Sequence, residues 1–112
     1  MALHGSHGLE HFQRKVDAAY LERLGAILPE LSAKARWDIV FYNAGVDVHA
    51  EDRLGRLSLS DDGLRARDAM VIGHFRALGI PVCGVIGGGY STDVAALAAR
   101  HAILFEVAAT FA

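Results

Sequence analysis

Two short apolar segments, separated by one helix-length segment, constrain the fold of this chain more than any other feature. Residues 39–42 read IVFY and residues 80–86 read IPVCGVI. Both are rich in β-branched and aromatic residues between polar flanks, which is typical of buried strands. Between them, Leu64, Val71 and Phe75 recur at helical spacing. Two strands connected through one helix are expected to lie parallel in one sheet, joined by a right-handed crossover.

Two further helices are expected to flank this unit. Val16, Tyr20 and Leu24 recur at helical spacing, with Asp17 as the expected cap where the regular part begins and Pro29 as the point where the helix ends or bends. The Ala- and Leu-rich segment from residue 92 to about residue 109 is apolar on nearly all sides, which is typical of a sandwiched helix.

The order of these elements predicts an α/β fold with three layers, in which helices pack on both faces of a small parallel sheet. The middle helix is expected to begin at the Ser-Asp-Asp sequence of residues 60–62 and to end at Gly79. The first eleven residues are expected to form a polar opening loop or to be a segment added for expression, since Gly5 and Gly8 disfavour a helix there.

Composition excludes several classes of protein. The chain has 112 residues, enough for one domain, of which 53% are hydrophobic and 21% charged, with a formal net charge of -2. The eleven Lys and Arg residues are scattered and balanced by acidic residues, so no nucleic-acid partner is expected. No uncharged apolar stretch reaches the length of about 18 residues that a membrane span needs, so no membrane partner is expected either.

The single cysteine and the polar opening indicate the compartment. Cys83 lies in an apolar run and has no second cysteine with which to form an internal disulfide, which favours a reducing environment. The opening sequence MALHGSHGLEH lacks the apolar core of a signal peptide. A cytoplasmic location is therefore expected.

Each expected strand is followed directly by an unusual loop. Residues 43–55 read NAGVDVHAEDRLG and residues 87–90 read GGGY. In parallel sheets, ligands bind beyond the carboxyl ends of the strands, so both loops are expected at the same edge.

Three interpretations of these loops remain open on the residues alone. The glycine run could bind a phosphate through its amides, although it has neither the GxGxxG spacing nor the lysine of a phosphate-binding loop. Asp47 and His49 have a spacing that metal ligands often show. Both residues could equally be solvated loop residues that hydrogen-bond their own backbone.

The sequence DIVFYNAGVDVHAEDRLGRLSLSDDGLRARD, followed after a helix by GIPVCGVIGGGYSTD, resembles the C-terminal part of the histone deacetylase family. That family includes acetoin-utilisation-type amidohydrolases and has the arginase–deacetylase fold. The resemblance covers roughly residues 17–101, nearly without gaps. It implies that residues 12–112 are the family-matching part of a single truncated deacetylase-like domain.

The resemblance implies roles for five residues. Asp47 matches the second carboxylate that holds the family's zinc ion, in the Gly-x-Asp motif of residues 45–47. Leu54 matches a residue of the acyl-lysine tunnel, with Gly88 and Gly89 at the same tunnel. Tyr90 matches the catalytic tyrosine, whose hydroxyl hydrogen-bonds the substrate carbonyl during amide hydrolysis.

Two other polar residues in the first loop have less certain roles. In the resemblance, Asp47 is followed by Asp-Arg-Leu-Gly at residues 52–55, as in the family's second zinc motif. In that motif the residue two positions after the aspartate is not a metal ligand. His49 is therefore an uncertain metal ligand, and Asp52 is expected to form a salt bridge or to brace the loop. Arg67 and Asp68 also match a family pattern, on a helix, where bracing is expected rather than chemistry.

The family's paired histidines and its Asp-x-His zinc motif have no counterpart among these residues. A catalytic zinc site takes about three protein ligands, which one carboxylate does not supply. We therefore expect a zinc amidohydrolase fragment that is inactive alone and binds zinc weakly or not at all, with a non-catalytic, self-associating α/β module as the alternative. Its substrate would be an acyl amide, such as acetylated lysine or a small molecule. The bare edges of a two-stranded sheet predict a homodimer or a partner that supplies the missing subdomain.

Overall fold

The chain alternates helices and strands along its whole length. In the computed structural model, residues 2–112 are described, with side chains from residue 8 onward. The elements are α1 (Ala2–Ser32), β1 (Val40–Asn43), α2 (Asp61–Ala77), β2 (Val82–Val85) and α3 (Val94–Ala109). The two strands pair in parallel, with Val40 beside Val82 and Asn43 beside Val85. The α/β class and the parallel sheet predicted from the sequence are confirmed.

The three helices pack together over one face of the sheet. Helix α2 lies between α1 and α3 and contacts both. Gly84 of β2 faces α3 so closely that a Cβ there would lie 3.3 Å from Leu104. On the opposite face Phe41 is 72% exposed and its neighbour Cys83 is also exposed. Residues 2–112 therefore form two of the three expected layers, the sheet and one layer of helices. All the described helices bury their apolar residues against the same face of the sheet.

The buried core follows from this arrangement. It consists of two clusters that meet along α2, the first against α3 and the second against α1. Their buried members are Ala44, Val46, Leu59, Leu64, Ile72, Ile103, Leu104 and Val107 in the first, and Leu28, Val71 and Phe75 in the second. Within residues 2–112, no helix combines the length and apolar character needed to cross a bilayer.

Helix α1 differs from the sequence-based expectation at both ends. It begins at Ala2 and not after residue 11, because a glycine such as Gly8 costs only about 1 kcal/mol in a helix that is otherwise continuous. Pro29 lies inside the helix, near its end, and the Ala33 N–H still bonds the Pro29 carbonyl at 3.0 Å. The proline therefore removes one late hydrogen bond without ending the helix.

The expected ends of α2 and the start of α3 are close to those observed. The Ser60 side chain caps α2 by accepting the Gly63 N–H at 3.0 Å. Gly79 follows the helix with φ 73°, a conformation that glycine adopts without strain. Helix α3 begins at Val94, with Asp93 accepting the Ala96 N–H at 3.0 Å as its N-cap.

Asp17 has a different role from the α1 cap predicted for it. It lies in the middle of α1 and its carboxylate accepts the Ser60 backbone N–H at 3.0 Å and the Ser60 hydroxyl. A Cβ on Gly63 would lie 2.7 Å from Asp17 Oδ1, so the glycine permits this approach. The negative charge sits at the N-terminus of α2, where it is favourable to the helix dipole. Asp17 therefore attaches α1 to the start of α2.

A buried ionic network fastens α2 to the strand and loop beside it. Arg67 and Asp68 are 4% and 1% exposed, and Arg67 Nε donates to Asp68 Oδ1 at 3.0 Å. Asp68 also accepts the Tyr42 hydroxyl from β1, and Arg67 Nη1 donates to the Gly45 carbonyl at 2.6 Å. Burial raises the pKa of Tyr42 far above its ordinary value; the Arg67 charge opposes this and the Asp68 carboxylate adds to it. The phenol therefore stays protonated and keeps donating its hydrogen bond.

Replacing Asp68 with alanine is predicted to destabilise the fold by about 3–5 kcal/mol, because it leaves the buried Arg67 charge without its partner. Denaturant unfolding monitored by circular dichroism measures the change. Glu106→Ala is the matched control, since Glu106 pairs with Arg65 at 2.8 Å on the exposed surface and its loss is expected to cost less than about 1 kcal/mol. Equal effects of the two substitutions would contradict the structural role of the network.

Candidate functional site at the carboxyl edge of the sheet

Two loops leave the sheet at the same edge, where both parallel strands end. We call residues 44–60 the first loop, which follows β1, and residues 86–93 the glycine loop, which follows β2. The strand ladder continues into them, because the Ala44 N–H bonds the Val85 carbonyl at 2.9 Å. The Val46 N–H then bonds the Gly88 carbonyl at 2.6 Å. The two loops are therefore joined from their first residues.

Asp47 lies against the glycine loop. A Cβ on Gly88 would lie 2.4 Å from Asp47 Oδ2, and a Cβ on Gly45 would lie 3.2 Å from Asp47 Oδ1. Any larger residue at position 88 would therefore displace the carboxylate. Asp47 and Gly88 line a cavity of about 320 Å³ that also includes Asn43 and Arg67.

Tyr90 lies further along the glycine loop, with its backbone held by the first loop. Its N–H donates to Asp52 Oδ1 at 2.6 Å, and its carbonyl accepts the Arg53 N–H at 2.8 Å. The side chain is 44% exposed and lines a second cavity, of about 470 Å³, with Leu54 and Gly89. The five residues to which the resemblance assigns roles therefore lie at one edge of the sheet. They form two groups: Asp47 lies with Gly88, and Tyr90 lies with Leu54 and Gly89.

Asp52 connects the two loops through its side chain. Oδ2 accepts the backbone N–H groups of Leu54 at 2.9 Å and Gly55 at 2.7 Å, while Oδ1 accepts that of Tyr90. Burial acts to raise the pKa of Asp52, but the three backbone donors outweigh it and hold that pKa below its ordinary value. One carboxylate therefore fixes the backbone on both sides of the cavity that contains Leu54 and Tyr90.

His49 is buried under the first loop, with 7% of its surface exposed. Its Nδ1 accepts the Glu51 N–H at 3.0 Å, which assigns the ring proton to Nε2, and Nε2 donates to Asp61 Oδ1 at 2.8 Å. Asp61 is the first residue of α2. His49 therefore attaches the first loop to the start of α2, and both of its ring nitrogens are engaged.

The donor set around Asp47 does not by itself fit a zinc ion. Among the residues that the structure describes, no three His, Cys, Asp or Glu side chains lie close enough together to hold one metal. The cavity lining contributes Asp47 as its carboxylate, beside the Arg67 guanidinium. Zinc sites in enzymes take about three protein ligands, so further ligands would have to come from outside this set.

Asn43 is a structural member of this edge that the sequence reasoning did not identify. Its Oδ1 accepts the Gly45 N–H at 3.2 Å, and a Cβ on Gly87 would lie 2.0 Å from the same oxygen. Asn43 therefore positions the start of both loops. The signal was present in the sequence, since Asn two residues before Gly at a strand end is typical of a side chain that bonds its own loop.

Asp52→Ala is predicted to raise the hydrogen-exchange rates of the Leu54, Gly55 and Tyr90 amides, because all three lose the same acceptor. Nuclear magnetic resonance measures these rates residue by residue. Asp38→Ala removes an exposed carboxylate and is the matched control, expected to leave the three amides unchanged. Unaltered exchange in Asp52→Ala would contradict the bracing role.

The same three amides should respond to acid. Because the pKa of Asp52 is lower in the folded state than its ordinary value of 3.8, its stabilising effect is complete above that value. The effect is then lost as the pH falls through the lower folded-state pKa. Loss of hydrogen-exchange protection at the Leu54, Gly55 and Tyr90 amides already at neutral pH would contradict this pH dependence.

Comparisons with known proteins identify the family of this chain. The family model described as the histone deacetylase domain matches residues 8–105. An uncharacterized protein of Picosynechococcus sp. is 42% identical over 92 residues, which are 82% of this chain and 31% of that protein. Histone deacetylase 2 of Arabidopsis thaliana is 38% identical over 71 residues, 63% of this chain and 18% of that protein.

The chain thus spans less than a third of the length of either relative. The family match includes both loops, with Asp47, Asp52 and Tyr90. On this match, and with a parallel α/β fold that carries both loops at one edge, the chain belongs to the histone deacetylase family.

Proposed function

We propose that this chain forms the carboxyl-terminal portion of a zinc-dependent amidohydrolase that removes an acyl group from an amine, such as acetylated lysine. The observation that carries the proposal is that Asp47 and Tyr90, the two residues with matching family roles, lie on loops that are bonded to each other. The bonds between Val46 and Gly88 and through Asp52 support a fixed relation between them. The family match supports the reaction class.

In this proposal the chain contributes two chemical groups. The Asp47 carboxylate is one ligand of a metal whose remaining ligands come from polypeptide outside these residues. The Tyr90 hydroxyl donates a hydrogen bond to the substrate carbonyl oxygen as that oxygen gains negative charge. The exposed side of Tyr90 and the neighbouring Leu54 leave room for a substrate chain to pass.

A second candidate function is favoured by the bare face of the sheet. Parallel sheets are normally covered on both faces, yet Phe41 and Cys83 are exposed here. In this alternative the chain is a non-catalytic module that acts by associating with itself or with a partner. The two candidates differ in whether Asp47 and Tyr90 contribute to any reaction.

The isolated chain is predicted to bind zinc weakly or not at all and to leave acetyl-lysine peptides intact, because one carboxylate does not hold a catalytic zinc ion. Metal analysis of the purified protein and a peptide deacetylation assay test this. Zinc-dependent turnover by the pure chain, lost in Asp47→Ala, would contradict it.

A hybrid enzyme tests the proposed roles directly. The segment of Arabidopsis histone deacetylase 2 that corresponds to residues 8–105 of this chain, the part that matches the family model, is replaced by those residues, and deacetylation is measured against the parent enzyme. Asp47→Ala is expected to abolish turnover, and Tyr90→Phe to lower it by about 10²–10³-fold, as for the loss of an oxyanion donor.

Asp38→Ala, which removes an exposed carboxylate just before β1, is the control and should leave the hybrid's turnover unchanged. An active hybrid that keeps its turnover after Asp47→Ala and Tyr90→Phe would contradict the catalytic proposal and leave the non-catalytic alternative.

A further inference from the structure

Helix α3 forms the surface on which the glycine loop lies. A Cβ on Gly89 would lie 3.0 Å from Leu97 Cδ1 and 2.8 Å from His101 Nε2, both on α3. It would also lie 2.7 Å from Val46 Cγ2 of the first loop. Leu97 and His101 are four residues apart, so they share one face of the helix. The backbone of Gly89 is therefore in contact with three side chains, one residue before Tyr90.

The part of α3 that makes these contacts is also attached to the first loop. Arg100 is 5% exposed, and its Nη2 donates to Glu51 Oε2 at 3.2 Å. Glu51 directly precedes Asp52, whose carboxylate accepts the Tyr90 N–H. The helix surface beneath Gly89 and the loop that braces Tyr90 are therefore held together.

The imidazole of His101 is an unusual group on this helix. Helix α3 contains three polar residues, and the other two, Arg100 and Glu106, each form an ion pair. The Nδ1 atom of His101 is buried and has no hydrogen-bond partner among the residues that the structure describes. Burying such a nitrogen is unfavourable, so an apolar residue would serve packing alone better. The imidazole therefore indicates a role beyond the packing of the helix.

We propose that His101 is a positioning residue for Tyr90, because its ring supports the backbone at Gly89 and so sets the position of the Tyr90 hydroxyl. The inference rests on the proposed function, in which that hydroxyl hydrogen-bonds the substrate carbonyl as the oxygen gains negative charge. The Tyr90 side chain is 44% exposed, so its position depends mainly on its backbone. Asp52 holds that backbone from the first loop, and His101 supports it from α3.

Two substitutions of His101 are expected to differ in the hybrid enzyme. A displacement of about 1 Å in a group that acts on the transition state costs up to about 10²-fold in rate. His101→Leu removes the atoms at the Nε2 position, since leucine is shorter than the imidazole. It should lower kcat by about 10–10²-fold with KM little changed, because the Tyr90 hydrogen bond strengthens in the transition state. The glutamine side chain ends at about the same distance from the backbone as Nε2, so His101→Gln should keep most of the turnover.

The decisive test is a double-mutant cycle in the hybrid enzyme. If His101 acts through Tyr90, His101→Leu lowers the turnover of the unmodified hybrid but changes it by less than about twofold in the Tyr90→Phe background. A purely structural role would lower turnover by the same factor in both backgrounds. His74→Leu is the matched control and should leave turnover unchanged. His74 is also a half-buried helix histidine, and its Nε2 lies 3.0 Å from the Ser32 hydroxyl, at the end of α2 away from the loops.

The contact itself is measured in the isolated chain, whether or not the variants fold. Nuclear Overhauser effects between the His101 ring protons next to Nε2 and the Gly89 α-protons are expected to be strong. Their absence in the folded chain overturns the proposal. Equal losses of turnover in the two backgrounds, or a His101→Leu hybrid as active as the unmodified one, overturn it as well. Tyr90→Phe alone tests the proposed function: a hybrid that this substitution leaves unchanged contradicts that function, and with it the role of His101.

Discussion

The parallel pairing of β1 with β2 is the constraint on which the candidate site depends. Because both strands end at the same edge, the loops that follow them start side by side and continue the ladder through the Val46–Gly88 hydrogen bond. Glycine at position 88 then allows the Asp47 carboxylate to lie where any Cβ would stand. Asp52 forms a second connection between the two loops, further from the sheet. Its carboxylate accepts hydrogen bonds both from the Tyr90 backbone and from the backbone of its own loop.

The helices hold this edge in place through polar contacts as well as apolar packing. The Arg67–Asp68 pair reaches from α2 to the Gly45 carbonyl at the start of the first loop and to the Tyr42 hydroxyl of β1. His49 ties the same loop to Asp61 at the N-terminus of α2. The loop that carries Asp47 is therefore attached to α2 at two points, while the opposite face of the sheet stays uncovered within the described residues.

Much of the fold could be predicted because it follows from local patterns: short apolar runs for the strands, Ser60 as a helix cap and Gly79 as a helix end. The role of Asp17 could not, since its partner Ser60 is distant in the sequence. For Asn43, the bond to Gly45 has a local signal, whereas the contact with the glycine loop is known only once the chain has folded. Helix α1 extends further than its glycine and proline residues predict, because their helix propensities are weak compared with continuous helix formation. The resemblance to the family identifies Asp47 and Tyr90 in the sequence, but it does not predict that they line separate cavities.

The contact between the two loops can be measured directly in solution by nuclear Overhauser effects between the Asp47 β-protons and the Gly88 α-protons. The backbone of Gly88 approaches the Asp47 carboxylate so closely that a Cβ would lie 2.9 Å from its Cγ. The account predicts a strong effect between these protons in the folded chain. A well-folded protein in which Gly88 shows contacts to other residues but none to Asp47 would contradict it, because the two loops would then not form one edge.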